Sequence, residues 1–252
     1  MSKIVLITGA TSGIGEACAY KYAAAGYHII ITGRREERLK VLATKLSANY
    51  GIEVLPLVFD VQNKQAVNEI LGGISENWKA VDILINNAGL AAGRDFFDEA
   101  SMDDWETMMQ TNVNGLLYVS KLVTGWMIAN GKGHVVNMGS IAGKEVYEKG
   151  NVYCASKFAV DAISKSMRID LLRHGIKVTA IHPGAVETEF ALVRFKGNED
   201  LAAATYKGLK PLTGADIADT IFYCTQLPAH VCINDLVITC TQQGGAYYFY
   251  KQ

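Results

Sequence analysis

Short apolar runs alternate with longer amphipathic stretches along most of the 252-residue chain. The apolar runs are rich in β-branched residues, and they predict seven strands at residues 4–7, 28–31, 54–59, 81–85, 134–138, 177–181 and 235–239. The stretches between them predict six helices at residues 13–25, 35–49, 64–71, 102–129, 152–173 and 215–226.

The predicted strands show no alternation of polar and apolar residues, which is typical of a parallel sheet that helices cover on both faces. Seven such strands predict a single doubly wound α/β domain over residues 1–252. An eight-stranded α/β barrel of similar length is the alternative. Residues 185–210 break the alternation, and an insertion of this kind is expected to cover the substrate site.

The composition narrows the class of protein. Half of the residues are apolar and 19% are charged, which excludes a disordered chain. The 24 Lys and Arg residues against 25 Asp and Glu give a net charge of −1 without a basic block, so no nucleic-acid partner is expected. The sequence contains no apolar run approaching the roughly 18 residues of a membrane span, so no membrane partner is expected either.

The N-terminus and the cysteines indicate a compartment. Met1-Ser2-Lys3 precedes an apolar run that is too short for a signal peptide. The cysteines form no C-x-x-C pair, and buried thiols in a reducing compartment are their simplest interpretation. They are Cys18, Cys154, Cys224, Cys232 and Cys240. We therefore expect a cytoplasmic protein without a metal site.

Three glycines, Gly9, Gly13 and Gly15, stand between the first predicted strand and the first predicted helix. Glycines at this place allow a tight turn and a close approach to a pyrophosphate, and the helix N-terminus attracts the anion. The spacing differs from the commonest G-x-G-x-x-G fingerprint, so an ordinary turn is the alternative. The predicted dinucleotide-binding residues of this turn are Gly9, Ala10, Thr11, Ser12, Gly13, Ile14 and Gly15.

The end of the second predicted strand favours NADP as the cofactor. An NAD site typically carries an acidic residue about 20 residues after the glycines, where it binds the ribose 2′-hydroxyl. This chain has Arg34 and Arg35 there instead. A guanidinium suits a 2′-phosphate better than it suits a hydroxyl. The alternative is a solvated helix start in which Arg35 pairs with Glu36 or Glu37.

Three tyrosines each precede a lysine by four residues, a spacing that places both on one helix face and favours the ionised phenol. The pairs are Tyr153/Lys157, Tyr206/Lys210 and Tyr247/Lys251. Only the first opens a long predicted helix after a strand that ends near Ser140, at the sheet edge where ligands bind. Ser140 is therefore a candidate donor to a substrate oxygen, with an ordinary turn serine as the alternative.

Taken together, these motifs resemble the short-chain dehydrogenase/reductase family over the whole chain. The similarity rests on Thr8-Gly9-x-x-x-Gly13-x-Gly15, Asn86-Asn87-Ala88-Gly89, Asn112, Ser140, Tyr153-x-x-x-Lys157, Pro183-Gly184 and Thr188. The resemblance implies a Rossmann domain with a seven-stranded parallel sheet, helices on both faces, and a homotetramer. It also implies further cofactor contacts from Asp60, Val61, Asn87, Ala88, Gly89, Pro183, Gly184, Val186 and Thr188.

The resemblance assigns catalytic roles to four residues, and two of them, Tyr153 and Lys157, are also expected to bind the cofactor. Tyr153 is expected to be the general acid in reduction and the general base in oxidation. Lys157 is expected to bind the nicotinamide ribose and to lower the tyrosine pKa, and Ser140 is expected to polarise the carbonyl. Asn112 is expected to hold a water that relays protons, because an asparagine inside a helix otherwise only costs propensity.

Further segments resemble one branch of the family, the NADP-dependent 3-hydroxy acid dehydrogenases, which include serine and allo-threonine dehydrogenases. They include Thr32-Gly33-Arg34-Arg35, Asp104-Trp105-Glu106-Thr107, Gly150-Asn151-Val152-Tyr153, Glu187-Thr188-Glu189-Phe190 and Arg194-Phe195-Lys196-Gly197. The resemblance implies oxidation of L-serine, L-allo-threonine or 3-hydroxypropionate, or reduction of malonic semialdehyde. Thr239-Cys240 departs from this branch, in which a proline is common at that place.

A 3-hydroxy acid needs a cation for its carboxylate. We choose Arg194, because a bidentate guanidinium orients a carboxylate better than an ammonium does. Lys196, Lys144 and Arg94 lie in loops at the same edge, and a solvated Arg194 is the alternative. The aromatic tail Tyr247-Tyr248-Phe249-Tyr250 is interpreted as a packing or subunit contact.

Two other functions stay open. One is an NADPH-dependent reductase of another carbonyl, such as a 3-oxoacyl thioester, a sugar or a diketone. The other is a non-catalytic NADP-binding regulator. The presence of Ser140, Tyr153, Lys157 and Asn112 together argues against a regulator, since binding alone does not need all four.

Overall fold

The computed structural model describes residues 3–251, in which nine strands form one large and one small sheet. They are β1 (Ile4–Thr8), β2 (His28–Gly33), β3 (Val54–Val58), β4 (Val81–Asn86), β5 (His134–Met138), β6 (Lys177–Pro183), β7 (Val186–Glu187), β8 (Leu212–Thr213) and β9 (Asp235–Ile238). Residues 1, 2 and 252 of the predicted domain lie outside the described residues.

Seven strands form a single parallel sheet in the order β3-β2-β1-β4-β5-β6-β9. The chain starts in the middle at β1, moves outward to β3, and then crosses to β4 on the other side of β1. The place between β1 and β4 is a topological switch point, and such sheets bind ligands outside its carboxyl edge. The predicted doubly wound sheet is confirmed, and the barrel alternative is wrong because the sheet is open.

Both faces of this sheet are buried. Along β1, Val5 and Ile7 belong to one apolar cluster, whereas Ile4 and Leu6 belong to the other. Alternate side chains of a strand point to opposite faces, so a strand that is covered on both sides must be apolar throughout. This burial is the physical reason for the uninterrupted apolar runs in the sequence.

Helices form the two outer layers. They are α1 (Gly13–Ala24), α2 (Glu36–Tyr50), α3 (Lys64–Ala66), α4 (Met102–Met109), α5 (Leu116–Ala129), α6 (Asn151–Leu171), α7 (Phe190–Arg194), α8 (Glu199–Tyr206) and α9 (Gly214–Gln226). Helices α1, α2 and α9 pack on one face, and α5 with the end of α6 packs on the other. Of the helices in residues 3–251, none combines the length and the apolarity that crossing a membrane would need.

The predicted helix at residues 102–129 is confirmed as continuous, but its middle is π-helical rather than α-helical. Gln110–Gly115 forms a π-helical segment between α4 and α5, and Val67–Leu71 forms another after α3. The first segment lies so close to the loop after β3 that a Cβ on Gly115 would be 2.8 Å from Cγ2 of Val61. Segments of this kind insert a residue into a helix and are frequent at functional sites.

Residues 185–210 contain regular structure that the alternation of the sequence did not predict. They hold β7, α7 and α8, and β7 pairs in parallel with β8 just before α9. The hydroxyl of Tyr206 at the end of α8 donates to the carbonyl oxygen of Val186 at 2.8 Å, which ties α8 to β7. Helices of five and eight residues have too few turns to show a clear period.

Candidate active site

The glycine-rich turn joins β1 to α1 at the carboxyl edge of the sheet. Gly9 has a φ of +67°, a left-handed conformation that glycine adopts without strain. A Cβ on Gly15 would collide with the carbonyl oxygen of Gly9, so the first turn of α1 packs against β1 only because this residue is glycine. The N-terminus of α1, with its unpaired N–H groups and positive dipole end, is thereby held at the edge of a cavity.

Asn87, the residue after β4, ties that strand to the glycine-rich turn. Its side-chain amide donates to the carbonyl oxygens of Thr8 and Gly9 at 2.9 and 3.1 Å. The hydroxyl of Thr8 accepts from the backbone N–H groups of Asn87 and Ala88, both at 3.0 Å. These four bonds hold the two central strands together at the switch point.

Arg35 is anchored to the glycine-rich turn. Its Nη2 donates to the hydroxyl oxygens of Thr11 and Ser12 at 2.7 and 2.8 Å, and its Nη1 lies 2.7 Å from a carboxylate oxygen of Glu189. Arg34 lines the cavity with a side chain that is 61% exposed, and its Nη1 lies 3.4 Å from Oδ2 of Asp60. The Arg35 guanidinium therefore lies beside the N-terminus of α1, and Arg34 lines the same cavity, where the sequence analysis expects a 2′-phosphate.

Glu36 and Glu37, the two acidic residues considered as partners of Arg35, pair with Lys40 instead. Glu36 and Glu37 lie 2.9 and 3.3 Å from Nζ of Lys40, one turn further along α2. Among the ion pairs of residues 3–251, Arg35 pairs with neither of them. The alternative of a helix start stabilised by local pairing of Arg35 is therefore wrong.

Tyr153 and Lys157 lie in the first turns of α6, and both are buried. Nζ of Lys157 donates to the carbonyl oxygen of Met138 at 2.9 Å and lies 6.0 Å from the centre of the Tyr153 ring. Ser140 follows β5, and its Oγ accepts from the N–H of Ala142 at 3.1 Å. The side chains of Ser140, Tyr153 and Lys157 line one cavity, since α6 begins beside the end of β5.

Burial dominates the electrostatics of this group. Desolvation raises the pKa of the Tyr153 hydroxyl well above its ordinary 10, and Tyr147 adds to this, whereas Ser140 and Arg194 oppose it. Burial also lowers the pKa of the Lys157 ammonium to about 8. Lys157 is not among the groups that shift the pKa of Tyr153, so the expected lowering of the tyrosine pKa by Lys157 is not found among these residues. Tyr153 is therefore a phenol at neutral pH, which is the protonation state of a proton donor.

The other two Tyr/Lys pairs do not share a helix face. Tyr206 is the last residue of α8, and its partner in sequence, Lys210, lies beyond the end of that helix. Tyr247 and Lys251 lie in the tail outside the helices. Tertiary context thus separates the pair in α6 from the two that arise by chance.

Asn112 is buried in the π-helical segment, where its side chain fastens the loop after β4. Its Nδ2 donates to the carbonyl oxygen of Leu90 at 2.8 Å and to Oγ of Ser156 at 3.0 Å, and its Oδ1 accepts from the N–H of Leu90 at 2.8 Å. Gly89 lies between Asn112 and Lys157, since a Cβ on it would be 3.1 Å from Oδ1 of the first and 3.6 Å from Nζ of the second. Asn112 is therefore next to the buried lysine without lining the cavity.

Arg194, the last residue of α7, is half-buried at the other end of the cavity. Its Nη1 donates to the hydroxyl of Tyr147 at 3.0 Å, and its Nε donates to the carbonyl oxygen of Gly93 at 3.2 Å. Its guanidinium carbon lies 5.5 Å from the centre of the Tyr153 ring. Within residues 3–251 the guanidinium has no ion pair with a carboxylate, so its charge is left for a ligand.

The other three candidate cations differ from Arg194 in their surroundings. Lys144 bridges Asp161 and Asp235 at 2.9 and 2.7 Å, and Nζ of Lys196 lies 2.8 Å from Asp104. Neither lysine is among the lining residues of the cavity. Arg94 does line the cavity, but it is exposed.

The cavity has a volume of about 1160 Å³ and runs from the glycine-rich turn to Arg194. This volume is slightly above the usual range of about 300–1,000 Å³ for small-molecule sites, and it suits a dinucleotide together with a small substrate. Among the described residues, three predicted site residues do not line it. They are Ala10, Gly15 and Asn112. The remaining predicted site residues lie along it, including Asp60, Val61, Gly89, Pro183, Gly184, Val186 and Thr188.

Three further residues of the site have no assigned role in the sequence analysis. Glu189 accepts from Arg35 and Arg38. The hydroxyl of Tyr147 accepts from Arg194, and the ring of Phe190 lies 5.7 Å from that of Tyr153. Glu189 and Phe190 lie within a segment that carries the resemblance, but no local pattern indicates their partners. Those partners are distant in sequence, and only the folded chain brings them together.

Comparisons with known proteins agree with this geometry. Residues 3–198 match the family model described as short chain dehydrogenase. The chain is 44% identical to the NADP-dependent 3-hydroxy acid dehydrogenase YdfG of Salmonella typhi, over 96% of this chain and 97% of that protein. It is 43% identical to sulfoacetaldehyde reductase 2 of Chromohalobacter salexigens, over 98% of both chains.

A solved structure extends this similarity to the fold. The closed form of serine dehydrogenase complexed with NADP⁺ superposes with a TM-score of 0.92 at 40% identity, covering 99% of both chains. The family model and these relatives cover the glycine-rich turn, the group around Tyr153 and most of the remaining chain. The chain therefore belongs to the short-chain dehydrogenase family.

Proposed function

We propose that this chain is an NADP-dependent oxidoreductase that transfers a hydride between the nicotinamide and C3 of a short 3-hydroxy acid. The candidate acids are L-serine, L-allo-threonine and 3-hydroxypropionate, with malonic semialdehyde as a substrate of the reverse reaction. The observation that carries this proposal is the position of Arg194. A half-buried guanidinium without a carboxylate partner in residues 3–251 lies 5.5 Å from the Tyr153 ring, where an anionic substrate would be held.

The residues present fit NADP. The turn from Gly9 to Gly15 and the N-terminus of α1 suit a pyrophosphate, and Arg34 and Arg35 suit a 2′-phosphate. Nine further residues named by the resemblance line the same cavity. They are Asp60, Val61, Asn87, Ala88, Gly89, Pro183, Gly184, Val186 and Thr188. When bound, the cofactor supplies or accepts the hydride, while the protein supplies position and electrostatics.

The chain's own residues handle the substrate oxygen and its proton. In the reductive direction Ser140 donates a hydrogen bond to the carbonyl oxygen, and the phenol of Tyr153 gives its proton to the developing alkoxide. Lys157 would hold the nicotinamide ribose when the cofactor is bound, and its positive charge would favour the phenolate that is left on Tyr153. Asn112 holds the loop beside Lys157 and has the role of organising the water that returns a proton.

The segment of residues 185–210 supplies both the anion site and the cover. Helix α7 carries Arg194 and Phe190, and α8 is tied to β7 through Tyr206. Val193, Leu201 and Tyr206 of this segment line the cavity. Closure over a bound acid would exclude water from the reacting carbon, which strengthens the electrostatic contribution of Arg194.

The first experiment is NADP⁺ reduction by the purified protein with L-serine, L-allo-threonine and 3-hydroxypropionate, and with NAD⁺ in parallel. We expect turnover with NADP⁺ and at least about tenfold lower kcat/KM with NAD⁺, which lacks the phosphate for the two arginines. In the reverse direction, NADPH oxidation is measured with malonic semialdehyde and with sulfoacetaldehyde, which compares a carboxylate substrate with a sulfonate substrate. Turnover of neutral diketones or 3-oxoacyl thioesters, with none of these anions accepted, would contradict the proposal and favour the other-carbonyl alternative.

Replacing Arg194 with methionine tests the anion site. The KM for the hydroxy acid is expected to rise about 10- to 100-fold, because a charge-assisted hydrogen bond contributes about 1.5–3 kcal/mol. The matched control is Lys196→Met, since Lys196 lies two residues away and pairs with Asp104 outside the cavity. An unchanged KM in Arg194→Met would show that another group, with Arg94 as the next candidate, holds the carboxylate.

The assembly that we propose is a homotetramer. Ile169 near the end of α6 and Leu172 just after it are 74% and 75% exposed, and Tyr247, Tyr248 and Tyr250 in the tail are also exposed. Apolar side chains in such numbers support contacts between subunits. Light scattering coupled to size-exclusion chromatography measures the mass directly. We further propose a cytoplasmic location, which the five free cysteines support, four of them buried.

A further inference from the structure

Glu189 places a carboxylate between two arginines of α2 and the loop before it. Its Oε2 lies 2.7 Å from Nη1 of Arg35, and its Oε1 lies 2.7 Å from Nη1 of Arg38. These contacts hold the pKa of the Glu189 carboxyl at about 2, with the hydrogen bond from Arg35 as the largest cause. The carboxylate is therefore ionised at neutral pH, and each of its oxygens is bound to a separate guanidinium.

Arg35 has few donors left for any other anion. A guanidinium offers five N–H groups. Nε and Nη2 of Arg35 donate to Thr11 Oγ1 at 3.0 and 2.7 Å, Nη2 also donates to Ser12 Oγ at 2.8 Å, and Nη1 donates to Glu189. A 2′-phosphate that engages Arg35 with two oxygens must therefore replace at least one of these acceptors.

Glu189 is the acceptor that such a phosphate would displace. The hydroxyls of Thr11 and Ser12 are neutral and can turn to donate to a phosphate, whereas a carboxylate can only accept and repels it. A phosphate monoester carries nearly two negative charges at pH 7 and three acceptor oxygens. The carboxylate of Glu189 and the phosphate thus compete for the guanidinium of Arg35.

We propose that Glu189 is a specificity-determining residue, which competes with the 2′-phosphate of the cofactor for Arg35. The inference rests on the proposed use of NADP. The affinity of the wild type for NADP is then lower than the attraction between phosphate and guanidinium alone would give, because binding must also break the ion pair with Glu189. NAD lacks the phosphate and does not compete with Glu189.

Displacement of the Glu189 carboxylate also affects α7, in the segment of residues 185–210. Glu189 directly precedes α7, and the N–H of Val193 in the first turn donates to its carbonyl oxygen at 3.0 Å. Phe190 and Arg194 follow in the same short helix, beside Tyr153. Release of the carboxylate removes the ion pairs that fasten the start of α7 to α2. Binding of the phosphate is thereby linked to the helix that carries the proposed anion site.

The test uses two small ligands that differ at the ribose, adenosine 2′,5′-bisphosphate and ADP. Isothermal titration calorimetry measures their Kd with the wild type, Glu189→Gln, Glu189→Ala and Glu187→Gln. Glu187 is an exposed carboxylate two residues away, so its variant has the same change in net charge. We expect both Glu189 variants to bind the 2′,5′-bisphosphate about five- to tenfold more tightly than the wild type, with ADP unchanged. Glu187→Gln should remain within about twofold of the wild type.

Equal or weaker binding of the 2′,5′-bisphosphate by the Glu189 variants, with ADP binding retained, would overturn the inference. Glu189 would then orient Arg35 rather than compete with the cofactor. Equal gains in Glu187→Gln would also overturn it, because the effect would come from net charge alone. A wild-type protein that prefers ADP to the 2′,5′-bisphosphate contradicts the proposed NADP dependence itself, whatever the variants do.

Discussion

Tyr153→Phe is expected to lower kcat/KM for the hydroxy acid by about 10²–10⁴-fold, the usual contribution of a general acid or base. The substitution removes one oxygen and keeps the ring, which is buried and packs at 5.7 Å from the ring of Phe190. The cofactor site is otherwise intact, so the Kd for NADPH should change by less than about threefold. Steady-state kinetics and titration of NADPH fluorescence measure the two quantities.

Tyr223→Phe is the matched control, because Tyr223 is 61% exposed on α9 and does not line the cavity. Its kcat/KM should equal that of the wild type. If Tyr153→Phe kept full activity, the assignment of the proton donor would be wrong. A wild type that binds NADPH but turns over none of the offered acids or carbonyls would instead favour the regulator, which needs the fold and not the phenol.

Lys157→Met is expected to abolish most of the activity and, at neutral pH, to make the protein more stable. Activity should fall by at least about 100-fold, since the tyrosine loses the cation that supports its proton transfer. The folded protein holds the Lys157 ammonium at a pKa of about 8, against the ordinary 10.5. This difference corresponds to a folding cost of about 3 kcal/mol for the charged form. Losing the hydrogen bond to Met138 offsets about 1 kcal/mol of the gain.

The stability difference should depend on pH in a defined direction. Because the unfolded chain binds the Lys157 proton more tightly than the folded protein does, the cost is complete below pH 8 and disappears as the pH rises towards 10.5. The melting temperature of Lys157→Met should therefore exceed that of the wild type by a few degrees at pH 7. The two values should converge, or cross, near pH 10.

Lys45→Met, on the exposed side of α2, is the control for removal of one positive charge. It should leave both activity and the pH dependence of the melting temperature unchanged. A less stable Lys157→Met at pH 7 would show that the buried ammonium is stabilised by more than its hydrogen bond to Met138. The desolvation argument for the pKa of Lys157 would then be incorrect.

The strands could be predicted from the sequence because burial on both faces of the sheet requires an apolar residue at nearly every position. In β1 both Val5 and Leu6 are fully buried, each on a different face of the sheet, so the run is apolar without interruption. The glycine-rich turn could be recognised for a similar reason. Gly9 and Gly15 occupy places where any side chain would strain the backbone or collide with it.

Where tertiary contacts override local propensity, prediction from the sequence failed. The helix predicted at 102–129 is present, but its π-helical middle was not predicted, because the buried side chain of Asn112 makes its contacts there with the distant Leu90 and Ser156. Helices α7 and α8 were missed because they are too short to repeat a pattern. The pKa of Tyr153 was expected to fall, since the spacing to Lys157 is visible in the sequence and the desolvation of the phenol is not.

Sequence alone was sufficient for the class of fold, the family and the place of the glycine-rich turn between β1 and α1, and it singled out the group around Tyr153 as candidate site residues. Each of these depends on local order or on residues with fixed spacing. The folded chain was needed to separate Arg194 from Lys144 and Lys196, since only the fold shows which cations already have carboxylate partners. It was also needed to place Glu189 on Arg35 and Arg38, because attraction between charges depends on distance in space and not on separation along the chain.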